Sequence, residues 1–391
     1  MTSKLNVIQE NNSAVVDLKV INDLKKDSFS SLKNIKERYS GMKIVWHPEK
    51  LKSFADKKIT SPIHVRIKPT NACNHKCVFC SYDPDHGDLE IRDQMTDRRA
   101  VLSREKLMET IDNFHDMGVQ SVTFSGGGEP LLHPNILEAL KKVRDYGIKY
   151  AIITHGQFLD GEKAEILRHA NWVRVSIDAS DAKSLAEFRR IPEEAFERIN
   201  RNIKNFVKIK DEKCELGINY VVHRDNADQV YKSIGHYKKL GVNHVKITPM
   251  WITNFREYHE PTMDSVIEQI KGAKEDFDDG NFRVYDTYEM DFSGVSVAHR
   301  NYTKCYVMQM NPVVGADGWV YFCHDKAYSS TGRLGSIKNQ SFKELWFSDE
   351  AKAIFESFNP QEGCKHHCAG DQKNEMITSL VSCHGDDVGF V

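Results

Sequence analysis

Residues 64–82 read HVRIKPTNACNHKCVFCSY, a short alternating run that gives way at once to three cysteines. HVRIKPT has the β-branched, alternating character of a strand. Cys73, Cys77 and Cys80 follow it in a C-x3-C-x2-C spacing, so one loop at the end of one strand offers three thiolates to a single centre. Three thiolates with no fourth in reach suit a cubane 4Fe-4S cluster whose fourth iron stays open to another ligand. Zinc is the competing reading and needs His75 or His86 to complete four closed ligands. Three core cysteines without a metal are the plainest alternative, against which stand the polar Asn74, His75 and Lys76 between them.

Beyond this stretch, short apolar runs alternate with amphipathic ones, the signature of repeated βα units around a parallel sheet or barrel and hence of an α/β fold. Six strands are expected: 64–70, 121–126, 150–156, 172–178, 216–223 and 244–250. Between them, 103–118, 135–147, 161–170, 194–209 and 228–241 carry apolar residues three and four apart and read as helices. Ser103 and the glycines at 118, 147 and 241 supply start and stop signals. A seventh unit, helix 263–277 and strand 282–290, is weaker. Residues 1–60 read as an extension, with helix-like spacing over Val15–Leu32, and 61–300 as the βα unit. From 301 to 391 the elements shorten and Gly, Asp and Cys rise, marking a second small domain.

The chain has 391 residues, 40% hydrophobic and 28% charged, which excludes disorder and fibre. Its 54 basic and 56 acidic residues leave a net charge of -2, so no global field points to nucleic acid or an anionic membrane. The first thirty residues lack a signal-peptide pattern and no run is long enough to span a bilayer, so a cytoplasmic protein with no membrane partner is expected. Nine unevenly spaced cysteines do not suggest a disulfide framework. Cys214 stands alone and reads as an ordinary buried thiol.

The cysteine loop resembles the C-x3-C-x-aromatic-C motif of the radical SAM enzymes, carried here by Cys73, Cys77, Phe79 and Cys80. The resemblance covers residues 61 to about 290 and implies a partial (β/α)6 barrel. SGGGEP (125–130) closes the second strand; its Gly127, Gly128 and Glu129 are similar to the family's GGE motif, which grips the methionine amino group of SAM. Ser176 and Asp178 end the fourth strand where the family often touches the ribose, and Thr154 and His155 end the third. One of Arg189 and Arg190, with Arg190 taken here, resembles an arginine that relatives use for the SAM carboxylate; the alternative is a solvated basic pair. Asn219 and Val221 fall where the fifth strand lines the adenine. The resemblance implies one-electron cleavage of SAM at the cluster, giving methionine and a 5'-deoxyadenosyl radical, with an external donor such as flavodoxin or ferredoxin.

Cys305, Cys323, Cys364 and Cys368 form a second group able to close a cluster fully. Their arrangement, C-x12-G-x4-C followed by a close pair, resembles the SPASM/twitch extension, and only Cys383 follows the pair, which suits one auxiliary 4Fe-4S cluster, the twitch form. The pair is C-x3-C where relatives more often have C-x2-C, so Cys383 or one of His366, His367 and His384 stands as an alternative fourth ligand, and zinc as an alternative metal. A second cluster gives an electron somewhere to go, so oxidation is the expected outcome. Lys246, Tyr285, Asp286 and Glu289 are ionisable residues on late strands, with Lys246 and Asp286 taken as candidate bases. Relatives with this extension act on ribosomal peptides or on small molecules such as aminosugars. The first 60 residues lack the alternating strands of a peptide-recognition domain, so a small, sugar-like substrate is expected. The alternative from another class is a non-catalytic iron-sulfur electron carrier or scaffold.

Overall fold

All six expected strands form, and the weaker seventh joins them. In the computed structural model the described residues are 41–82, 97–252, 255–288, 300–364, 368 and 370–382. The helix expected over Val15–Leu32 lies outside them, as do His86, Glu289, His366, His367, Cys383 and His384.

In chain order the elements are α1 (Pro48–Ala55), β1 (His64–Ile67), α2 (Arg104–Asp116), β2 (Ser121–Phe124), α3 (Ile136–Asp145), β3 (Lys149–Thr154), α4 (Gly161–Leu167) and β4 (Trp172–Ser176). There follow α5 (Ala182–Arg189), α6 (Glu194–Ile209), β5 (Glu215–Val222), α7 (Val230–Leu240), β6 (His244–Pro249), α8 (Phe255–Phe277) and β7 (Arg283–Asp286). Strands β1 to β7 lie side by side in chain order, every pair parallel. Ser103 caps α2 by accepting from Lys106 N at 3.2 Å, and the expected glycines stand just beyond α2, α3 and α7.

Two helices depart from expectation. The chain between β4 and α6 forms α5, started by Asp181, whose side chain accepts from Ser184 N at 2.9 Å. Helix α8 begins at Phe255, eight residues before the expected 263, and runs through Pro261. Proline cannot donate to the carbonyl four residues back. Arg224 takes that role: its Nη2 donates to Glu257 O at 3.3 Å and its Nε to Tyr258 O at 2.8 Å.

The unit after residue 300 is built onto the same sheet. Strand β8 (Val313–Val314) pairs parallel with the free edge of β1, and β9 (Trp319–Tyr321) and β10 (Arg333–Ser336) continue antiparallel from it. Helices α9 (Phe342–Trp346), α10 (Asp349–Ser357), α11 (Pro360–Gly363) and α12 (Asp371–Ser382) complete it. Trp346, wholly buried, donates to Thr60 O at 3.1 Å, and α12 packs on α1.

Strand alternation gives the sheet two unlike faces. On one, Val65, Ile67, Val122, Phe124, Ile152, Val173, Val175, Leu216, Ile218, Val245 and Ile247 are all buried against the helices. The other, inner face carries the residues in register between them: Arg66, Thr123, Arg174, Ser176, Asn219, Lys246, Thr248 and Tyr285. Among the described residues no helix is long and apolar enough to cross a membrane.

Candidate functional site

The cysteine loop leaves β1 and is tied down on two sides. Its Lys76 and Val78 backbone N–H groups donate to Arg189 O and Phe188 O at 3.0 and 2.9 Å, fixing it to the end of α5. Opposite, His75 stacks on His155 with ring centres 3.8 Å apart and planes 7° from parallel. Gln157 Oε1 accepts from Asn74 Nδ2 at 2.8 Å and lies 2.9 Å from His75 Nε2, while His155 Nε2 lies 2.9 Å from Asn74 Oδ1. Burial lowers the two imidazoles to about 2 and about 3, so both stay neutral. This clamp from the end of β3 was not legible in the sequence, where His75 entered as a candidate zinc ligand and as a polar residue between the thiols.

The glycine run lies directly on the cysteine loop. Gly128 N donates to Thr70 O at 3.1 Å and Glu129 N to Ala72 O at 2.9 Å. A Cβ on Gly128 would stand 2.2 Å from the backbone oxygen of Ala72, so this position requires glycine for the approach, and one on Gly127 would stand 2.3 Å from the side-chain Oδ1 of Asn71. Glu129 is buried, and its carboxylate accepts from Thr154 Oγ1 at 2.7 Å, Leu131 N at 3.0 Å and His155 N at 2.8 Å. Thr154 and His155 thus serve the carboxylate. With about two lone pairs per oxygen, Oε1 is filled and Oε2 retains one acceptor position. Burial pushes Glu129 up to about 7, against the pull of those three donors.

The two strand-end and helix-end candidates, Asp178 and Arg190, differ sharply in burial. Asp178 is wholly buried and spends its carboxylate on Arg189 Nε at 3.1 Å, on Arg189 Nη2, and on Val221 N at 2.9 Å. Arg190 is exposed at the end of α5 with φ 50°, whereas Arg189 is buried, with its guanidinium 5.7 Å from the Phe79 ring centre. Ser176 lies half-buried on the inner face in register with Asn219, which accepts from Thr248 Oγ1 at 3.2 Å. Lys246 and Tyr285 are in register on that face. Asp286, one residue on, points to the helix side and pairs with Lys274 of α8 at 3.4 Å, so it is removed from the candidate bases.

In the second group, Cys323, Cys368 and Cys305 accept hydrogen bonds at sulfur from Lys326 N at 3.4 Å, Gly370 N at 3.3 Å and Asn374 Nδ2 at 3.3 Å. Cys73 likewise accepts from His75 N at 3.4 Å. Asn374, wholly buried in α12, also accepts from Tyr306 N and Val307 N, holding the backbone beyond Cys305. A poor helix former in mid-helix was the only signal for it.

Residues 67–237 match the model of the radical SAM superfamily and 305–369 that of the SPASM iron-sulfur cluster-binding domain. Residues 67–237 therefore form a radical SAM domain. A Saccharolobus islandicus protein named "Probable GTP 3',8-cyclase" is 28% identical over 184 residues, 47% of this chain and 55% of that one. A GTP 3',8-cyclase of Limosilactobacillus fermentum is 31% identical over 229 residues, 55% of this chain and 63% of its own. The match thus spans little more than half the length of such relatives. The structure of Streptococcus suis SuiB bound to S-adenosylmethionine superposes with a TM-score of 0.59 at 17% identity, covering 87% of this chain and 78% of SuiB, a likeness of fold.

Radical SAM and SPASM domains carry a 4Fe-4S cluster with SAM and auxiliary iron-sulfur clusters, respectively. The donor sets fit them. Burial pushes Cys73 to about 11, Cys77 to about 12 and Cys364 to about 11, and raises Cys305, Cys323 and Cys368; neighbouring thiols add to the shift in each set. Such thiols shed their protons only to a bound cation, with backbone N–H groups ready to share the sulfur charge. Among the described residues no three His, Cys, Asp or Glu side chains stand as ligands to one metal ion, so the fit rests on the kind and grouping of donors.

Proposed function

We propose that the protein is an oxidising radical SAM enzyme acting on a small, polar, sugar-like substrate. Cys73, Cys77 and Cys80 would hold the cluster with the open iron, and Cys305, Cys323, Cys364 and Cys368 the auxiliary one. When bound, the first cluster and SAM supply a 5'-deoxyadenosyl radical that removes hydrogen from substrate, the electron coming from a donor of the flavodoxin or ferredoxin kind. Glu129 offers its remaining Oε2 position to the methionine ammonium, and the close-laid glycines bring it beside Cys73. Lys246 is the candidate base, on the inner face with Ser176 and Asn219.

The observation that carries this reading is the pair of backbone bonds, Gly128 to Thr70 and Glu129 to Ala72, which lays the glycine run against the cysteine loop. An electron carrier has no use for a buried carboxylate there. The relatives' name adds support for the substrate class, since GTP contains a phosphorylated ribose. Anaerobic reconstitution and reduction in the presence of SAM should yield 5'-deoxyadenosine and methionine in equal amounts. Protein that is fully loaded with iron and yields neither would overturn the proposal.

A further inference from the structure

The inner face of the sheet carries its charge unevenly. Strand β1 places Arg66 there, and the ammonium of Lys68, just beyond it, lies 3.7 Å from the Tyr82 ring centre and 5.3 Å from that of Tyr328. Arg174 projects from β4 to the same side, 5.8 Å from the Trp172 ring centre. The Nε atoms of both Arg66 and Arg174 are closed off from solvent and have no hydrogen-bond partner among the described residues. Arg66 Nη1 lies 3.2 Å from His324 Nε2, and His324 directly follows Cys323.

These cations repel one another. Burial and the charge of Arg174 pull Arg66 down to about 10, and Tyr82 and Asp325 offset this only in part. Lys373 of α12 feels Arg66 as a like charge as well. On the strands, Glu215 is the carboxylate facing the same side, and it is in register with Trp172, below Arg174. Several cations sharing one face, with two guanidinium N–H groups unspent, are arranged for a ligand that brings negative charge and acceptor oxygens.

We infer that the inner face between the two cysteine sets binds an anionic substrate, with its phosphate or carboxylate group held by Arg66 and Arg174. This rests on the proposed function, of which it names the substrate class. The anion would neutralise the two arginines and accept from their free Nε–H groups. The rest of the substrate would lie along the polar row toward Ser176, Asn219 and Lys246.

The test is calorimetric titration of the iron-loaded protein, saturated with SAM, with inorganic phosphate and separately with acetate, at fixed ionic strength set by chloride. One saturable site per chain is expected for at least one of them, and the tighter probe tells phosphate from carboxylate. Arg174→Gln and Arg66→Gln should each weaken it about tenfold or more, while Arg174→Lys retains part and the helix-surface change Arg201→Gln leaves it unchanged. Arg174 is half-buried, so Arg174→Gln and Arg174→Lys carry the test if Arg66→Gln fails to fold. No saturable binding of either anion, or binding that both arginine changes leave intact, overturns the inference. So would arginine changes that shift only the reduction potential of the auxiliary cluster, since the cations would then serve that cluster. Measuring 5'-deoxyadenosine on the same samples separates the two proposals: SAM cleavage without anion binding overturns this one alone, and anion binding without SAM cleavage upholds it while removing the radical reaction.

Discussion

Glu129 gives the candidate site a pH signature. Its folded pKa, raised to about 7 by burial from an ordinary 4.5, means that the folded chain holds this proton more tightly than the unfolded chain. Its contribution to stability is therefore full below about 4.5 and lost as pH rises through about 7. Binding of the SAM ammonium needs the ionised form, so affinity should rise between pH 6 and 8, through the value of about 7. Glu129→Gln should flatten that rise and weaken SAM by about 1.5–3 kcal/mol, read by anaerobic calorimetry. A Gln variant that kept both the affinity and its pH slope would remove Glu129 from the site. The paired arginines give a second contrast. Arg189→Gln strands Asp178 as a buried charge and should cost about 3–5 kcal/mol in urea unfolding, whereas Arg190→Gln at the exposed position should stay within about 0.5 kcal/mol. The sequence could not rank these neighbours, because a helix too short to show its period decides which of them is buried.

At the scale of elements, alternation made β1 to β6 legible, since Val, Ile and Phe at every second position survive any choice of boundary. The same alternation, applied to β7, separates Tyr285 from Asp286: adjacent residues of one strand cannot both face the inner side. Helix α8 hid its first eight residues because Pro261 reads locally as a boundary, and the arginine that compensates for it lies on another segment, thirty-seven positions earlier. GGE was readable as a motif, but the contact that demands glycine there is with Asn71 and Ala72, fifty-odd residues away. Gly128→Ala puts a methyl 2.2 Å from Ala72 O, and the cysteine loop must move to admit it. Iron should fall from about eight to about four per chain while the auxiliary cluster is kept. Full iron with unchanged SAM binding in Gly128→Ala would show that the loop does not depend on this contact.

Across the whole molecule, the two cysteine sets are joined through one strand. β1 leads into Cys73 at its end and carries β8 on its edge, so the loop holding Cys323 hangs from the same strand that aims Cys73. Both spacings were plain in the sequence; their junction was not, because a two-residue strand, Val313–Val314, has no period to read. If the second cluster accepts the substrate's electron, Cys364→Ala/Cys368→Ala should abolish oxidised product yet still release 5'-deoxyadenosine, a split that chromatography of one reaction reads directly. Product formed at the wild-type rate would make that cluster structural and favour a redox-neutral reaction. The central claim is that SAM is cleaved at the three-cysteine loop and nowhere else. The most direct measurement is iron content and 5'-deoxyadenosine yield in the Cys73→Ala/Cys77→Ala/Cys80→Ala protein under reduction: the account predicts about four irons retained and no 5'-deoxyadenosine, and 5'-deoxyadenosine formed by that variant would contradict it.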